Sequence, residues 1–171
     1  MDNPASATTA FCSMSDVPPD TTAPPPVDAP AGFKPLKLAG DFILANGPLW
    51  FYQQGDDVRL GFRVEKRHTN PLGICHGGML ASFCDMLLPI SVHRKSREVG
   101  LRFLPTINLQ LDYLSPAPLG AWVEGTAQVL RVTRSLVFAQ GLASADGTPC
   151  TRVSGIFKIG PPFGDVLAPP T

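Results

Sequence analysis

Apolar and polar residues alternate along much of the chain, and this period of two predicts β-strands. The clearest case is residues 106–116, where the alternation places Leu109 and Tyr113 on one face and Thr106 on the other. Residues 77–93 differ, because their apolar spacing is that of a long helix. The six predicted strands cover residues 47–55, 57–68, 106–116, 121–135, 136–144 and 150–160.

The order of these elements predicts the fold class. Two strands precede the helix and four follow it, which is typical of an α+β protein with a mostly antiparallel sheet and one helix on its face. Because the helix comes between the second and third strands, the sheet can wrap around it. An Asp-Gly pair at residues 146–147 predicts a tight turn between the last two strands.

The predicted helix carries an aspartate, Asp85, among Met, Leu and Phe residues. A carboxylate in such surroundings is costly unless it is paired, hydrated or used in chemistry. A helical projection places Leu88 and several small residues beside Asp85, with the large apolar side chains on the opposite face. Pro89 predicts either a kink next to Asp85 or an earlier end of the helix. The small residues are Gly78, Ala81 and Ser82.

The start of the helix leaves its backbone accessible. His76 stands where Ser, Thr, Asp or Asn usually caps the first turn, so the first N–H groups lack that side-chain acceptor. Gly77 and Gly78 have no side chain to block an approaching oxygen, and a helix N-terminus favours an anion or a developing oxyanion. A tight turn that requires glycine is the alternative explanation.

Asp85 and Gly77 cannot act on one carbonyl group from the same helix. They are eight residues apart, and at about 1.5 Å per residue this separation is about 12 Å. An attacking carboxylate and an oxyanion donor must each lie within about 3 Å of the reacting atoms. If the two cooperate, they come from two antiparallel helices, so the sequence predicts an active site that forms only in a homodimer.

Composition divides the chain into three regions. Residues 1–39 are rich in Pro and Ala and predict a flexible N-terminal arm, residues 40–160 form the domain, and residues 161–171 form an irregular tail. Acidic and basic residues balance at 14 each, which disfavours nucleic acid or a membrane as partner. The four cysteines lack metal-site spacing and no signal peptide is evident, so we expect buried thiols, no metal or cofactor, and a cytoplasmic location.

Three stretches resemble PaaI-like acyl-CoA thioesterases of the hotdog fold. They are HTNPLGICHGGMLASFCD, TINLQLDYLSPAPLG and ADGTPCTRVSGIFKI, and the resemblance covers about residues 40–160. It includes an Asn six residues before His-Gly-Gly and an Asp nine residues after that His. The resemblance implies a hotdog fold, in which an antiparallel sheet wraps one long central helix. It also implies dimers with a continuous sheet, often paired into homotetramers.

The resemblance also implies roles for five residues. Asp85 would be the nucleophile, or the general base that activates water, in the hydrolysis of an acyl-CoA thioester. The Gly77 N–H would be the oxyanion donor, with His76 and Asn70 positioning the thioester or the water. Thr106 would stand on the Asp85 side of the site. A thioester is already activated, so one carboxylate and one electrophilic pocket suffice without a metal.

Further substrate contacts are expected from two places. Gly78 and Ser82 belong to the small-residue surface beside the carboxylate. Arg94, Lys95 and Arg97 follow the helix in the stretch HRKSR. These cations either complement the dipole at the helix C-terminus or bind the phosphates of coenzyme A.

Two other functions stay open at this point. Hotdog dehydratases and hydratases share the fold but use a different His-plus-acid arrangement, which the spacing of Asp85 after His-Gly-Gly disfavours. The other alternative is a regulatory module that binds an acyl-CoA without hydrolysing it, and the presence of Asp85 disfavours that as well. Binding of acyl-CoA without release of free thiol would identify such a module.

Overall fold

The computed structural model, which describes residues 29–36 and 40–163, contains a seven-stranded antiparallel sheet and one long helix. The α+β class predicted from the sequence is therefore confirmed. The strands are β1 Lys34–Pro35, β2 Trp50–Gln54, β3 Asp57–Arg63, β4 Thr106–Tyr113, β5 Trp122–Val132, β6 Leu136–Ala145 and β7 Thr148–Lys158, in the sheet order β1-β2-β3-β5-β6-β7-β4. The helices are α1 Asp41–Asn46 and α2 Gly77–Lys95, with a 3-10 turn at Lys66–His68.

The six predicted strands and the long helix are all present, and two short elements were missed. β1 has only two residues and α1 has six residues with none buried, so neither produces a hydrophobic period. β1 lies within the residues predicted as an arm and pairs with β2. The rest of that arm and most of the predicted tail lie outside the described residues.

Small residues on the inner face of the sheet let α2 approach closely. A Cβ at Gly125 would stand 2.5 Å from Leu87 Cδ2, and a Cβ at Gly155 would stand 2.8 Å from Leu88 Cδ1. Leu88 is fully buried, although the projection placed it on the Asp85 side of the helix and not with the other large apolar side chains. The reason is that all of the strands β3 to β7 contact α2, so the sheet covers the helix on several sides.

The long helix continues through its proline. α2 extends from Gly77 to Lys95 and contains Pro89 in its interior, so the alternative of an earlier helix end is wrong. Pro89 has no N–H to donate to the carbonyl oxygen of Asp85 four residues before it. The polypeptide therefore keeps Asp85 in the middle of a helix whose hydrogen bonding is incomplete at that residue.

A β-bulge decides which face of β4 each side chain occupies. Thr106 pairs with Phe157 and Asn108 pairs with Ile156, which leaves Ile107 as an additional residue. Phe157 is fully buried in the core, and paired residues share a face, so Thr106 lies on the side of the helix. The alternation alone placed Thr106 on the opposite face, and that prediction is wrong because it assumed an unbroken strand.

The turn between β6 and β7 matches its sequence signal. Asp146 has φ 46° and Gly147 has φ 83°, and two consecutive positive φ angles are typical of the type I′ turn of a tight hairpin. The Oδ1 atom of Asp146 also accepts the backbone N–H of Trp122 over 2.9 Å. The predicted tight turn is thus confirmed, and it fixes the register of the two strands under α2.

Candidate active site

Asp85 and Thr106 form one half of the candidate site. Thr106 Oγ1 donates a hydrogen bond to Asp85 Oδ1 over 2.7 Å, which is possible because the bulge turns Thr106 toward α2. The carboxylate is half-buried. Among the described residues, none donates to Asp85 Oδ2. One carboxylate oxygen is therefore held in place and the other is available to a substrate or water.

Asn70 lies in the turn before α2 and retains a donor. Its Oδ1 accepts the backbone N–H of Leu72 over 3.0 Å, and its backbone carbonyl accepts the N–H of Gly73 over 2.9 Å. The side-chain oxygen thus closes the turn around the following proline. Nδ2 has no acceptor within the described part of the chain, so the amide can donate to a bound carbonyl or water.

His76 caps the first turn of α2, which corrects the expectation that this turn lacks a side-chain acceptor. Its Nδ1 accepts the N–H of Gly78 over 2.9 Å. A ring nitrogen that accepts carries no proton, so the neutral ring is protonated on Nε2. The His76 side chain is exposed, and its Nε2 has no acceptor among residues 29–36 and 40–163. The Gly78 N–H is occupied by the cap, whereas His76 presents an N–H of its own.

Gly77 supplies an unoccupied backbone N–H, for which no acceptor exists in the described ranges. A Cβ at Gly77 would stand 3.3 Å from Tyr113 Cζ, so glycine here makes room for the tyrosine ring. Tyr113 also donates its hydroxyl to the Gly77 carbonyl oxygen over 2.9 Å. Gly77, Asn70 and Tyr113 line one open groove of about 450 Å³, together with Ile74, Cys75, Leu80, Leu114, Ser115, Pro116 and Ala117.

The structure groups the predicted catalytic residues into two sets. Asp85 contacts Thr106, whereas Gly77 and Asn70 share the groove beside Tyr113. Asp85 does not line that groove, since it follows Gly77 by more than two turns of α2. One protomer thus holds a carboxylate half-site and a donor half-site at separate places.

The basic residues at the C-terminal end of α2 make different contacts. The Arg94 guanidinium lies 4.8 Å from the centre of the Phe51 ring, and Lys95 Nζ donates to the carbonyl oxygen of Ala127 over 2.8 Å. Arg97 is exposed. Arg94 and Lys95 both lie in the last turn of the helix, where cations complement its dipole. Binding of coenzyme A phosphates by these residues stays a prediction.

Ser82 is the remaining predicted contact. Its Oγ donates to the carbonyl oxygen of Gly78 over 2.8 Å, within α2. The side chain borders a small cavity between α1 and α2, beside Ile43, Met79 and Phe83. Contact between Ser82 and substrate stays a prediction.

His68 supports the donor half-site and was missed by the sequence analysis. It is 3% exposed, and its Nδ1 accepts the N–H of Glu65 over 3.1 Å. Its carbonyl oxygen accepts the N–H of His76 over 2.8 Å, which ties the two ends of the intervening loop together. The strand pattern gave no signal for it, because Lys66 interrupts the apolar parity of Phe62 and Val64 before His68.

The burial of His68 predicts a pH dependence of stability. Burial lowers its pKa below the ordinary value of about 6.5. The unfolded chain therefore binds this proton at higher pH than the folded chain does. The contribution of neutral His68 to the free energy of unfolding is complete above about pH 6.5. It is lost as the pH falls through the pKa of His68 in the folded protein. We expect the thermal midpoint to decrease between about pH 7 and pH 5.

The control for this prediction is a pair of histidine variants. Burial also lowers the pKa of His93, so His68→Gln and His93→Gln should each flatten the pH profile, and the double variant should flatten it most. Thermal unfolding followed by circular dichroism measures how the thermal midpoint of the wild type and of the three variants changes with pH. A wild-type profile as flat as that of the double variant contradicts the prediction.

The described cysteines behave as small apolar residues. Cys75, Cys84 and Cys150 are buried free thiols, and burial raises the pKa of Cys75 and of Cys84 to about 12. The expectation of buried thiols is confirmed for these three, while Cys12 lies outside the described residues. Within residues 29–36 and 40–163, no group of three or more His, Cys, Asp or Glu could hold a metal ion. No helix in those ranges has the length and apolar character needed to cross a membrane.

Several known proteins are similar to this chain in sequence. A Pseudomonas aeruginosa protein named as an esterase is 26% identical over 134 residues, which are 78% of this chain and 98% of that protein. Acyl-coenzyme A thioesterase 13 of Mus musculus is 32% identical over 78 residues, 45% of this chain and 53% of the mouse protein. The family model described as the thioesterase superfamily matches residues 72–150. Residues 72–150 of this chain are thus similar to the thioesterase superfamily.

A solved structure supports the fold of this chain. A mutant of the phenylacetic acid degradation protein PaaI from Thermus thermophilus aligns with a TM-score of 0.59 at 19% identity, covering 70% of this chain and 98% of that chain. The hotdog fold expected from the resemblance is confirmed. The family match contains Gly77, Asp85 and Thr106 and begins two residues after Asn70. The roles of these individual residues stay predictions.

Proposed function

We propose that this protein is a thioesterase that hydrolyses an acyl-CoA, with an aryl or a short-to-medium acyl chain, in sites shared by two subunits. The observation that carries the proposal concerns the two ends of β4. Thr106, at one end, contacts Asp85, and Tyr113, at the other end, contacts Gly77. Antiparallel pairing of β4 with β4 of a second copy would bring the carboxylate half-site of one subunit next to the donor half-site of the other.

The exposed edge of β4 supports this pairing. β4 is the last strand in the sheet order and pairs with β7 on one side only, as far as the described residues extend. Large apolar side chains are exposed on or next to this strand, with Ile107 at 57%, Tyr113 at 56% and Leu114 at 53%. An open edge of this length and character is an aggregation hazard unless another strand covers it. A second copy of the chain is the partner that also completes the site.

The proposed reaction uses the donors and the carboxylate on opposite sides of the thioester. The Gly77 N–H donates a hydrogen bond to the carbonyl oxygen of the thioester. Asn70 Nδ2 and His76 Nε2 are further donors near that oxygen. Asp85 of the other subunit either attacks the carbonyl carbon or removes a proton from an attacking water. The tetrahedral intermediate collapses with cleavage of the C–S bond, and the CoA thiolate takes up a proton. In the nucleophilic route, water then hydrolyses the resulting mixed anhydride to the free acid.

The acyl-CoA substrate and the assembly of the protein are parts of the same proposal. The name of the mouse relative supports an acyl-CoA as substrate. Arg94, Lys95 and Arg97 are the proposed cations for its phosphates, and two dimers would pair into a homotetramer. The free thiols of the described cysteines support a reducing, cytoplasmic location.

The experiment that tests the function is release of free thiol from a panel of acyl-CoAs. Aryl, short-chain and medium-chain thioesters would be compared at equal concentration, with calorimetric binding measured on the same samples. Thiol release by the wild-type protein supports the proposal, and the best substrate identifies the acyl pocket. Binding without thiol release would instead support a regulatory module that holds acyl-CoA.

The shared site can be tested with mixed dimers. Asp85→Asn removes the carboxylate and Gly77→Pro removes the backbone donor, so each homodimer should be inactive. A purified heterodimer of the two variants has one site with both defects and one site with none, so we expect about half of the wild-type specific activity. Co-expression with two affinity tags provides the heterodimer. An inactive heterodimer would indicate that each site lies within one subunit.

A further inference from the structure

Tyr113 makes a contact that the proposed reaction has not used. Its hydroxyl donates to the carbonyl oxygen of Gly77 over 2.9 Å, and the N–H of Gly78 donates to Nδ1 of His76 over 2.9 Å. The Gly77 carbonyl and the Gly78 N–H are the two polar groups of one peptide bond. The tyrosine hydroxyl, this peptide and the imidazole therefore form one continuous hydrogen-bonded chain.

We infer that Tyr113 is a positioning residue, which holds His76 in its Nε2-protonated tautomer through the peptide between Gly77 and Gly78. The inference rests on the proposed function, because it assigns His76 Nε2–H as a donor to the bound thioester. Tyr113 itself does not touch the reacting atoms in this arrangement. It acts through the peptide and the imidazole.

The physical basis is the cooperativity of hydrogen bonds within one peptide unit. A donor at the carbonyl oxygen polarises the amide and strengthens its N–H as a donor, by about 10–30% per bond in condensed phases. The Gly78 N–H then binds Nδ1 of His76 more strongly, and an accepting Nδ1 requires the proton to be on Nε2. The opposite tautomer would break this bond and present a lone pair on Nε2 instead of a donor.

The surroundings of Tyr113 make this contact specific. The ring packs on Gly77 so closely that a Cβ there would stand 3.3 Å from both Cζ and the hydroxyl oxygen. Any side chain at position 77 would therefore press on the tyrosine ring. Tyr113 is also the last residue of β4, so the strand that completes the shared site carries the group that orients His76.

The test is Tyr113→Phe, which removes the hydroxyl and keeps the ring. Nitrogen-15 NMR of the imidazole groups reports the tautomer directly. The chain has three histidines, and His76→Gln identifies the relevant signals by their loss. We expect wild-type His76 to carry its proton on Nε2 and Tyr113→Phe to populate the Nδ1-protonated form. In thiol release, kcat should fall by up to about twofold while KM stays unchanged.

The chain offers a matched control in its other tyrosine. Tyr52 donates its hydroxyl to Gln54 Oε1 over 2.7 Å, away from the site, so Tyr52→Phe should leave the His76 signals and kcat unchanged. A wild-type tautomer in Tyr113→Phe overturns the inference, whether or not kcat falls. A changed tautomer with unchanged kcat overturns the role in turnover. If the wild-type protein releases no thiol, the proposed function fails, and the NMR comparison still decides whether Tyr113 orients His76.

Discussion

Replacing Asp85 by asparagine is expected to lower kcat for thioester hydrolysis by about 10²–10⁴-fold, with little effect on folding. Asparagine has nearly the same shape, and its Oδ1 can still accept the Thr106 hydroxyl that Asp85 Oδ1 accepts over 2.7 Å. What it loses is the negative charge on Oδ2, which no described residue engages. The substitution therefore slows the attack on the thioester carbonyl, whether Asp85 is the nucleophile or the general base.

Thiol release at saturating acyl-CoA measures this loss, and thermal unfolding checks that the fold is retained. Asp56→Asn is the matched control, because Asp56 is an exposed carboxylate in the turn between β2 and β3 and makes no contact with Asp85. The control should keep wild-type kcat. Turnover by Asp85→Asn within a few-fold of wild type would mean that another group performs the chemistry.

Replacing Gly77 by proline is expected to lower kcat by about 10²–10³-fold, the usual cost of one oxyanion donor. The local backbone accepts this change unusually well. Gly77 is the first residue of α2, a position where proline is favoured, and the preceding His76 has φ −63° and ψ 137°. This extended conformation is the one that a residue before proline requires. The substitution thus removes the N–H and preserves the course of the chain.

Gly77→Ala distinguishes the effect of losing the backbone N–H from the effect of adding a side chain. Alanine and proline both place a Cβ 3.3 Å from Tyr113 Cζ, so crowding of the tyrosine is common to the two variants. Only proline lacks the N–H. The ratio of the kcat values of the two variants therefore measures how much the N–H donor contributes to turnover. Equal kcat in the two variants would exclude Gly77 as the oxyanion donor.

Periodicity along the chain was enough to predict the main elements. Six strands and α2 follow from local spacing, because a strand repeats every two residues and a helix every 3.6. The Asp-Gly turn is equally local, since it depends on φ angles that these two residues adopt readily. α1 and β1 are too short to produce a period, and their positions depend on contacts with the rest of the sheet.

Some properties of the candidate site also follow from the sequence alone. The separation of Gly77 and Asp85 on one helix is a matter of helical rise, and it already requires two subunits if both act on one carbonyl. The accessible backbone at Gly77 follows from the absence of a side chain. These properties depend on residues close together in the sequence, where covalent geometry restricts the possible distances.

Only the tertiary structure decided how distant residues meet. The bulge at Ile107 turns Thr106 toward Asp85, and the length of β4 carries Tyr113 to Gly77. The pairing of β4 with β7 joins segments far apart in the chain, and both strands pack against α2. Local periodicity does not encode that packing, so the sequence determined the elements and the tertiary structure determined the contacts between them.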